Sequence, residues 1–386
     1  MSTPHFGGES ALAVDATTKQ LEPAGWRPVE RMSLGDLEAL RLILRGSSVI
    51  DWRRLHFETP EEVDRFLGQN LLDLADPRDE ARLRGILGQA VDYLRGAFGY
   101  RVAAPVAEPA DVRDLFLLAS GAIAPQRYRR IACVVLKCMH VVHHLEAREL
   151  LFRTPIREVD LSEMVDRRVM AEAKRMAHLG FPVVEFSGNV KTRASLITKL
   201  ISKRESVAAQ VFDRVRYRIV TPRPDQVAPV VCHLASTLFP FNYVVPGQTQ
   251  NSLLKFRQIV GLHPRADELV GQLQSPLELE VAETAPFNQF SAEGYRVLNF
   301  VVDLPVRIDE FLRAPVSPAE DLGRVVFSLV EFQVVDAATA RTNDVGEASH
   351  ERYKKRQVMQ VLRRLSRGLV VPKKEPGPRK KKRRGR

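Results

Sequence analysis

Between residues 165 and 182 the spacing of apolar residues changes, and one kind of secondary structure cannot satisfy both halves of the chain. Before the change, LGDLEALRLILRG, PEEVDRFLGQNLLDLA, RLRGILGQAVDYLRGAFG and RRIACVVLKCMHVVHHLEARELLF place apolar residues three and four apart, the period of amphipathic helices. After it, FPVVEFSG, VFDRVRYRIVT, LKFRQIVGL, YRVLNFVVDLPV and RVVFSLVEFQVV read as strands, rich in Val, Ile, Phe and Tyr. Helices are interleaved among them: TRASLITKLISKR, QVAPVVCHLASTLF and a last one over roughly 345–368. The order predicts an α+β chain, with a helical domain over 30–170 and a mixed-sheet domain flanked by helices over 171–368.

The two ends read differently. A length of 386 residues suits two domains with extensions. Residues 1–29 lack a basic region followed by an apolar stretch, so they read as a flexible leader and not as a secretory signal. No run of 18 apolar residues occurs, so no membrane span is expected. Three cysteines, Cys133, Cys138 and Cys232, argue against a disulfide framework and for a reducing, cytoplasmic compartment. The formal charge is +11, but the last 14 residues hold nine Lys or Arg and one Glu. The remainder is only mildly basic, so whole-chain charge does not make the folded part a nucleic-acid binder. The segment 369–386 reads as a disordered basic tail with affinity for RNA phosphates or, more plainly, as a solubilising charge run. Oligomeric state is left open.

Three segments carry candidate chemistry. GNVKTRASLITKL spaces Lys191, Ser195 and Lys199 four apart, on one face at the start of a predicted helix. Two ammonium groups, a hydroxyl and a helix N-terminus make a phosphate cradle; a solvated basic helix is the plainer alternative. Asp213 opens a predicted strand followed by Arg214, Arg216 and Arg218. Glu331 and Gln333 are two apart in VEFQVV and project from one side of a strand. Strand carboxylates hold Mg²⁺ while phosphates complete its shell; surface or salt-bridged carboxylates are the alternative.

In motif order, residues 171–360 resemble the synthetase domain of RelA/SpoT-type alarmone synthetases. Gly188-Asn189-Val190-Lys191, then Ser195 and Lys199, match the family's opening motif in spacing. Asp213 and Arg218 match the next. Gly294-Tyr295-Arg296-Val297-Leu298-Asn299 matches the third, and Glu331, Gln333, Gly346 and Ala348-Ser349-His350-Glu351-Arg352-Tyr353-Lys354 the fourth. The resemblance implies a nucleotidyltransferase-like fold and Mg²⁺-dependent transfer of pyrophosphate from ATP to the 3′-hydroxyl of GDP or GTP, a stringent-response activity. It implies that Lys191, Ser195, Lys199 and Arg218 hold ATP phosphates. Asp213 and Glu331 would bind Mg²⁺, with Glu331 placed to activate the hydroxyl. Tyr295 would stack on guanine and Gln333 support the acceptor.

The sequence departs from the family pattern at Asn189, Val297, Asn299 and Val335, and an insertion occupies about 244–290. The donor side keeps the pattern better than the acceptor side. Two further readings stand beside synthesis: pyrophosphorylation of an RNA 3′ end, and a catalytically silent nucleotide- or RNA-binding regulator. No His-Asp dipeptide occurs, so the family's hydrolase activity is not expected. His140, His143 and His144 share a helix without a matching carboxylate pattern and read as polar residues of a partly buried helix.

Overall fold

The computed structural model describes residues 25–46, 57–202, 214–272, 295–312, 322–344 and 350–366. Most of the expected leader, Asp213, Gly294, Gly346, Ala348, Ser349, part of the insertion and the basic tail lie outside them.

The helical half contains α1 (Leu34–Arg45), α2 (Pro60–Gln69), α3 (Pro77–Phe98), α4 (Ala104–Ala107), α5 (Arg113–Ser120), α6 (Arg129–Arg153) and α7 (Glu158–His178). Their boundaries follow local chemistry. Ser33 and Asp36 form a reciprocal capping box at α1, and Gly46 ends that helix at φ 58°, a conformation costly for other residues. Thr59 and Asp76 cap α2 and α3, each followed by proline.

The second half runs β1 (Glu185–Val190), α8 (Arg193–Ser202), β2 (Val215–Thr221), α9 (Val227–Thr237), β3 (Gln250–Asn251), α10 (Phe256–Gly261), α11 (Ala266–Gln272), β4 (Leu298–Arg307), β5 (Val325–Asp336), α12 (Ala337–Asp344) and α13 (His350–Leu365). The strands form one sheet in the order β1-β2-β5-β4-β3. Only β2 and β5 pair in parallel among the named strands; the other pairs are antiparallel. The fold class is α+β with a mixed sheet. The strand expected at LKFRQIVGL is instead helix α10. Its apolar residues Phe256, Ile259 and Val260 sit at helical spacing and are all buried, so the period overrides β-favouring composition in this short run.

Two apolar clusters hold the chain. One joins Val63 and Leu67 of α2, Leu83 and Ile86 of α3, Leu115 of α5 and Leu136 of α6. The other packs Leu37, Leu40 and Ile43 of α1, Val165 and Val169 of α7, and Val230 and Leu234 of α9 against Tyr217, Ile219, Phe300, Phe332 and Val334 of the sheet. Each such burial contributes about 1.5–3 kcal/mol before entropy is charged against it. Helices α1 and α7 therefore share the core of the sheet, whereas α2, α3, α5 and the first half of α6 form their own.

The packed face of the sheet needs a glycine. Gly188 pairs with Tyr217 across β1 and β2, and a Cβ at Gly188 would lie 2.7 Å from the Tyr217 ring. The ring is fully buried, and its hydroxyl donates to Asp166 Oδ1 of α7 at 2.9 Å. This contact ties β2 to the helix beneath it.

Candidate active site

Residues directly opposite one another on paired strands share a face, as do residues two apart on one strand. One register row of the sheet reads Asn189, Arg216, Glu331 and Val301. The next reads Ser187, Arg218, Gln333, Asn299 and Gln250. The intervening residues, Phe186, Tyr217, Phe332 and Phe300 among them, belong to the core on the other side. Alternation along four strands thus concentrates polar side chains on one face of the sheet.

Glu331 is the centre of that face and is only 4% exposed. Arg216 Nε donates to its Oε2 at 2.7 Å, and Asn299 Nδ2 donates to its Oε1 at 2.7 Å. The carboxylate is held from the strand on either side. Burial by itself would raise its pKa. The charge and hydrogen bond of Arg216, the charge of Lys191 and the Asn299 amide together hold it below the ordinary glutamate value. Beside this clamp, Asn299 Oδ1 and Gln250 Nε2 are opposite in register, and both are buried without a hydrogen-bond partner among the described residues.

Lys191 lies outside the helix where spacing had put it. It sits between β1 and α8, and its backbone N–H donates to Arg214 O at 2.9 Å. Thr192 is the reason: its Oγ1 accepts from the Ser195 N–H at 3.3 Å, which starts the helix at Arg193. Lys191 is nonetheless close enough for its charge to act on Glu331. Ser195 is exposed on the first turn of α8, with its hydroxyl 3.0 Å from that of Thr192. Lys199 is half-buried on the same helix.

The other end of the polar face is closed by α12. Asp336, the last residue of β5, accepts from the N–H groups of Ala338 and Thr339 at 3.0 Å and so starts this helix. The helix returns Asp344 to Arg218, whose Nη2 donates to Asp344 Oδ2 at 3.3 Å. It also returns Asn343 to the backbone of Arg296, which it both donates to and accepts from. Tyr295 is thereby set beside Val220, Val297, Val335 and Ala340. Burial raises its pKa, against the opposing charges of Arg216 and Arg218. Tyr295, Arg216, Arg218 and Glu331 accordingly occupy one neighbourhood. Gln333 lies within it, half-buried and opposite Arg218.

The expected Mg²⁺ pair is not assembled by the described residues. Asp213 lies outside them. Among them no group of three or more His, Cys, Asp or Glu side chains is placed to hold a metal ion. Glu331 already faces a guanidinium at hydrogen-bond distance, and a divalent ion at the same carboxylate would be repelled by it. Among the described residues, the groups around Glu331 therefore do not by themselves make a metal site, and Asp213, the other expected ligand, lies outside them. Arg216 and Asn299, the latter named only as a departure from the motif, were not among the expected site residues; the structure sets both on Glu331. Their signal was strand parity: Arg216 alternates with Arg218, and Asn299 precedes Val301, the residue opposite Glu331.

The three histidines of α6 are placed elsewhere on the same side of β4 and β5. His144 Nε2 is 3.2 Å from Asp303 Oδ2, and its ring stacks on Phe327 at 4.4 Å. His140 meets Asn242, and His143 meets Tyr243. Burial lowers the pKa of all three imidazoles and raises that of Asp303 to about 7. These groups pack as polar contacts between α6 and the sheet. A separate cavity of about 460 Å³ is lined by Trp26, Pro28, Glu30, Arg223 and Gln226, and by none of the motif residues.

No helix among the described residues is long and apolar enough to cross a membrane. No family model matches the sequence, and no curated protein matches it. Among solved structures, the chain is similar to small alarmone synthetase 1 from Bacillus subtilis bound to its product pppGpp. Sequence identity is 14% and the TM-score 0.29, over 53% of this chain and 86% of that one. It is likewise similar to small alarmone synthetase 2 from Bacillus subtilis, at 14% identity and TM-score 0.28, over 57% of this chain and 94% of that one.

Proposed function

We propose that the polar face of the sheet binds nucleotide polyphosphates and transfers pyrophosphate from ATP to the 3′-hydroxyl of GDP or GTP. The observation that carries this reading is the cluster at Glu331. A buried carboxylate is hydrogen-bonded by Arg216 and lies within the influence of the Lys191 charge, and Tyr295 lies near Arg216, Arg218 and Glu331. Phosphoryl and pyrophosphoryl transfer ask the protein mainly for positioning and charge neutralisation. Cations on β2 and at the entry of α8 suit polyphosphate, and Tyr295 offers a ring face to the acceptor base. Lys191, Ser195, Lys199 and Arg218 would address the donor phosphates. Gln333 and Asn299 would address the acceptor.

One observation favours a second reading, a nucleotide-binding regulator without catalysis. Both oxygens of Glu331 are engaged, and a carboxylate with a depressed pKa is a weak base for activating a hydroxyl. Where Mg²⁺ enters the reaction, it would do so through the phosphates and not through Glu331 as it stands.

The discriminating experiment incubates the full chain with ATP labelled on the γ-phosphate together with GDP, GTP or bulk tRNA, with and without Mg²⁺. Labelled ppGpp or pppGpp supports the lead. Label on RNA identifies the RNA 3′ end as the acceptor, with the basic tail as its anchor. Nucleotide binding without transfer to any acceptor supports the regulator. The absence of both binding and transfer would remove the nucleotide reading.

A further inference from the structure

Arg216 and Glu331 lie directly opposite each other on the parallel pair β2 and β5. Their side chains meet at 2.7 Å, and counted over side-chain atoms alone Glu331 is 6% and Arg216 29% exposed. The second carboxylate oxygen is taken by Asn299 from β4, so the anion cannot swing away without losing a bond on either side. Both lost bonds would leave a buried charge or amide unpaired, which is costly. Mg²⁺ demands near-ideal octahedral oxygen ligation and usually retains several waters. A guanidinium on the same carboxylate occupies part of that space and carries the same sign of charge. It is itself a planar donor suited to phosphate oxygens.

We infer that Arg216 is a built-in cation at Glu331: its guanidinium takes the place a divalent ion would hold on this carboxylate, and the polar face recruits nucleotide polyphosphate without a metal bound to Glu331. The nucleotide half rests on the function proposed above. The metal half rests only on the Arg216–Glu331–Asn299 geometry and is tested without nucleotide.

The test titrates Mn²⁺ into the full chain and follows free Mn²⁺ by electron paramagnetic resonance. Wild type and Glu331→Gln should bind Mn²⁺ within about twofold of one another, because Glu331 ligates no ion. A tenfold loss of Mn²⁺ affinity in Glu331→Gln would overturn the proposal. Arg216→Met should gain at least a tenfold tighter Mn²⁺ site, which Arg216→Met/Glu331→Gln should lose. A folded Arg216→Met chain with no gain would also overturn it. If Arg216→Met does not fold, the comparison of wild type with Glu331→Gln decides alone.

A second arm measures ATP binding by equilibrium dialysis in EDTA and in Mg²⁺. Affinities within about threefold, or a loss in EDTA that Glu331→Gln in Mg²⁺ does not reproduce, support the nucleotide half; a loss in EDTA that Glu331→Gln in Mg²⁺ does reproduce refutes it. No binding in either buffer removes the nucleotide reading itself, while the Mn²⁺ result stands.

Discussion

Arg216 and Glu331 belong to strands that are adjacent in the sheet but 115 residues apart in the chain, and a single Nε–Oε2 hydrogen bond of 2.7 Å joins them. The bond sets the charge state of the candidate site, since the Arg216 charge is the largest influence opposing burial of the carboxylate.

Removing one partner should cost far more than removing both. Arg216→Met leaves Glu331 buried without its guanidinium partner, and should destabilise the fold by about 3 kcal/mol, the low end for a buried pair because Arg216 is partly exposed. Arg216→Met/Glu331→Gln should recover more than half of that loss. Urea denaturation of the four chains of the cycle at pH 7 measures it; additive losses would show the pair to be unimportant for stability.

The same carboxylate predicts a direction with acid. Its pKa is lower in the folded chain than the ordinary value of 4.5, so its stabilising contribution is present above 4.5 and is lost as pH falls through the folded value. Glu331→Gln should flatten the stability profile below pH 4.5 and leave its shape above pH 6 unchanged.

The α6 histidines act in a higher window. Their folded pKa values lie below the ordinary 6.5, that of His143 at about 3, so the unfolded chain binds more protons between these limits. Stability should fall as pH drops below about 6.5, by up to about 1.4 kcal/mol per pH unit for each imidazole. Asp303, raised to about 7, works against this from the ordinary aspartate value upward, but three imidazoles outweigh one carboxyl. His143→Phe should reduce the slope between pH 6 and pH 5 by about one proton. An unchanged slope would show that His143 is protonated when folded.

Gly188 should accept no side chain. In Gly188→Ala the new methyl would press on the Tyr217 ring, which is fully buried and tied to Asp166. A loss of about 1–3 kcal/mol in chemical denaturation is expected. Gly188→Ala/Tyr217→Leu should relieve part of it.

Tyr295 should discriminate between the two nucleotides of the proposed reaction. Tyr295→Leu should weaken GDP and GTP binding by about tenfold, the scale of one base–aromatic stack, with ATP affinity held within twofold. Tyr295→Phe should behave like wild type. Calorimetric titration reads both affinities, and equal losses for ATP and GDP would move Tyr295 out of the acceptor side.

Much of the candidate site was legible in the one-dimensional pattern. Glu331 and Gln333, two apart in a β run, had to share a face, and they do. The swap of period near residue 182 announced helices followed by a mixed sheet. Where reading failed, short-range chemistry or long-range pairing was the reason. LKFRQIVGL is too short for composition to outvote its helical spacing. Lys191 fell off the predicted helix because Thr192 caps it. Gln250 and Asn299 came together through β3, a two-residue strand with no periodicity to detect.

The sequence by itself determined the type of the longer segments, which of their strand positions are polar, and the order of the motifs, because periodicity and capping act over a few residues. Only the tertiary structure decided that β2 lies beside β5 and β5 beside β4, and hence that Glu331 is answered by Arg216 and Asn299. Strand pairing is a non-local choice, made by burying Tyr217, Phe332 and Phe300 together on the packed face. The polar residues of the opposite face were brought into register by that burial.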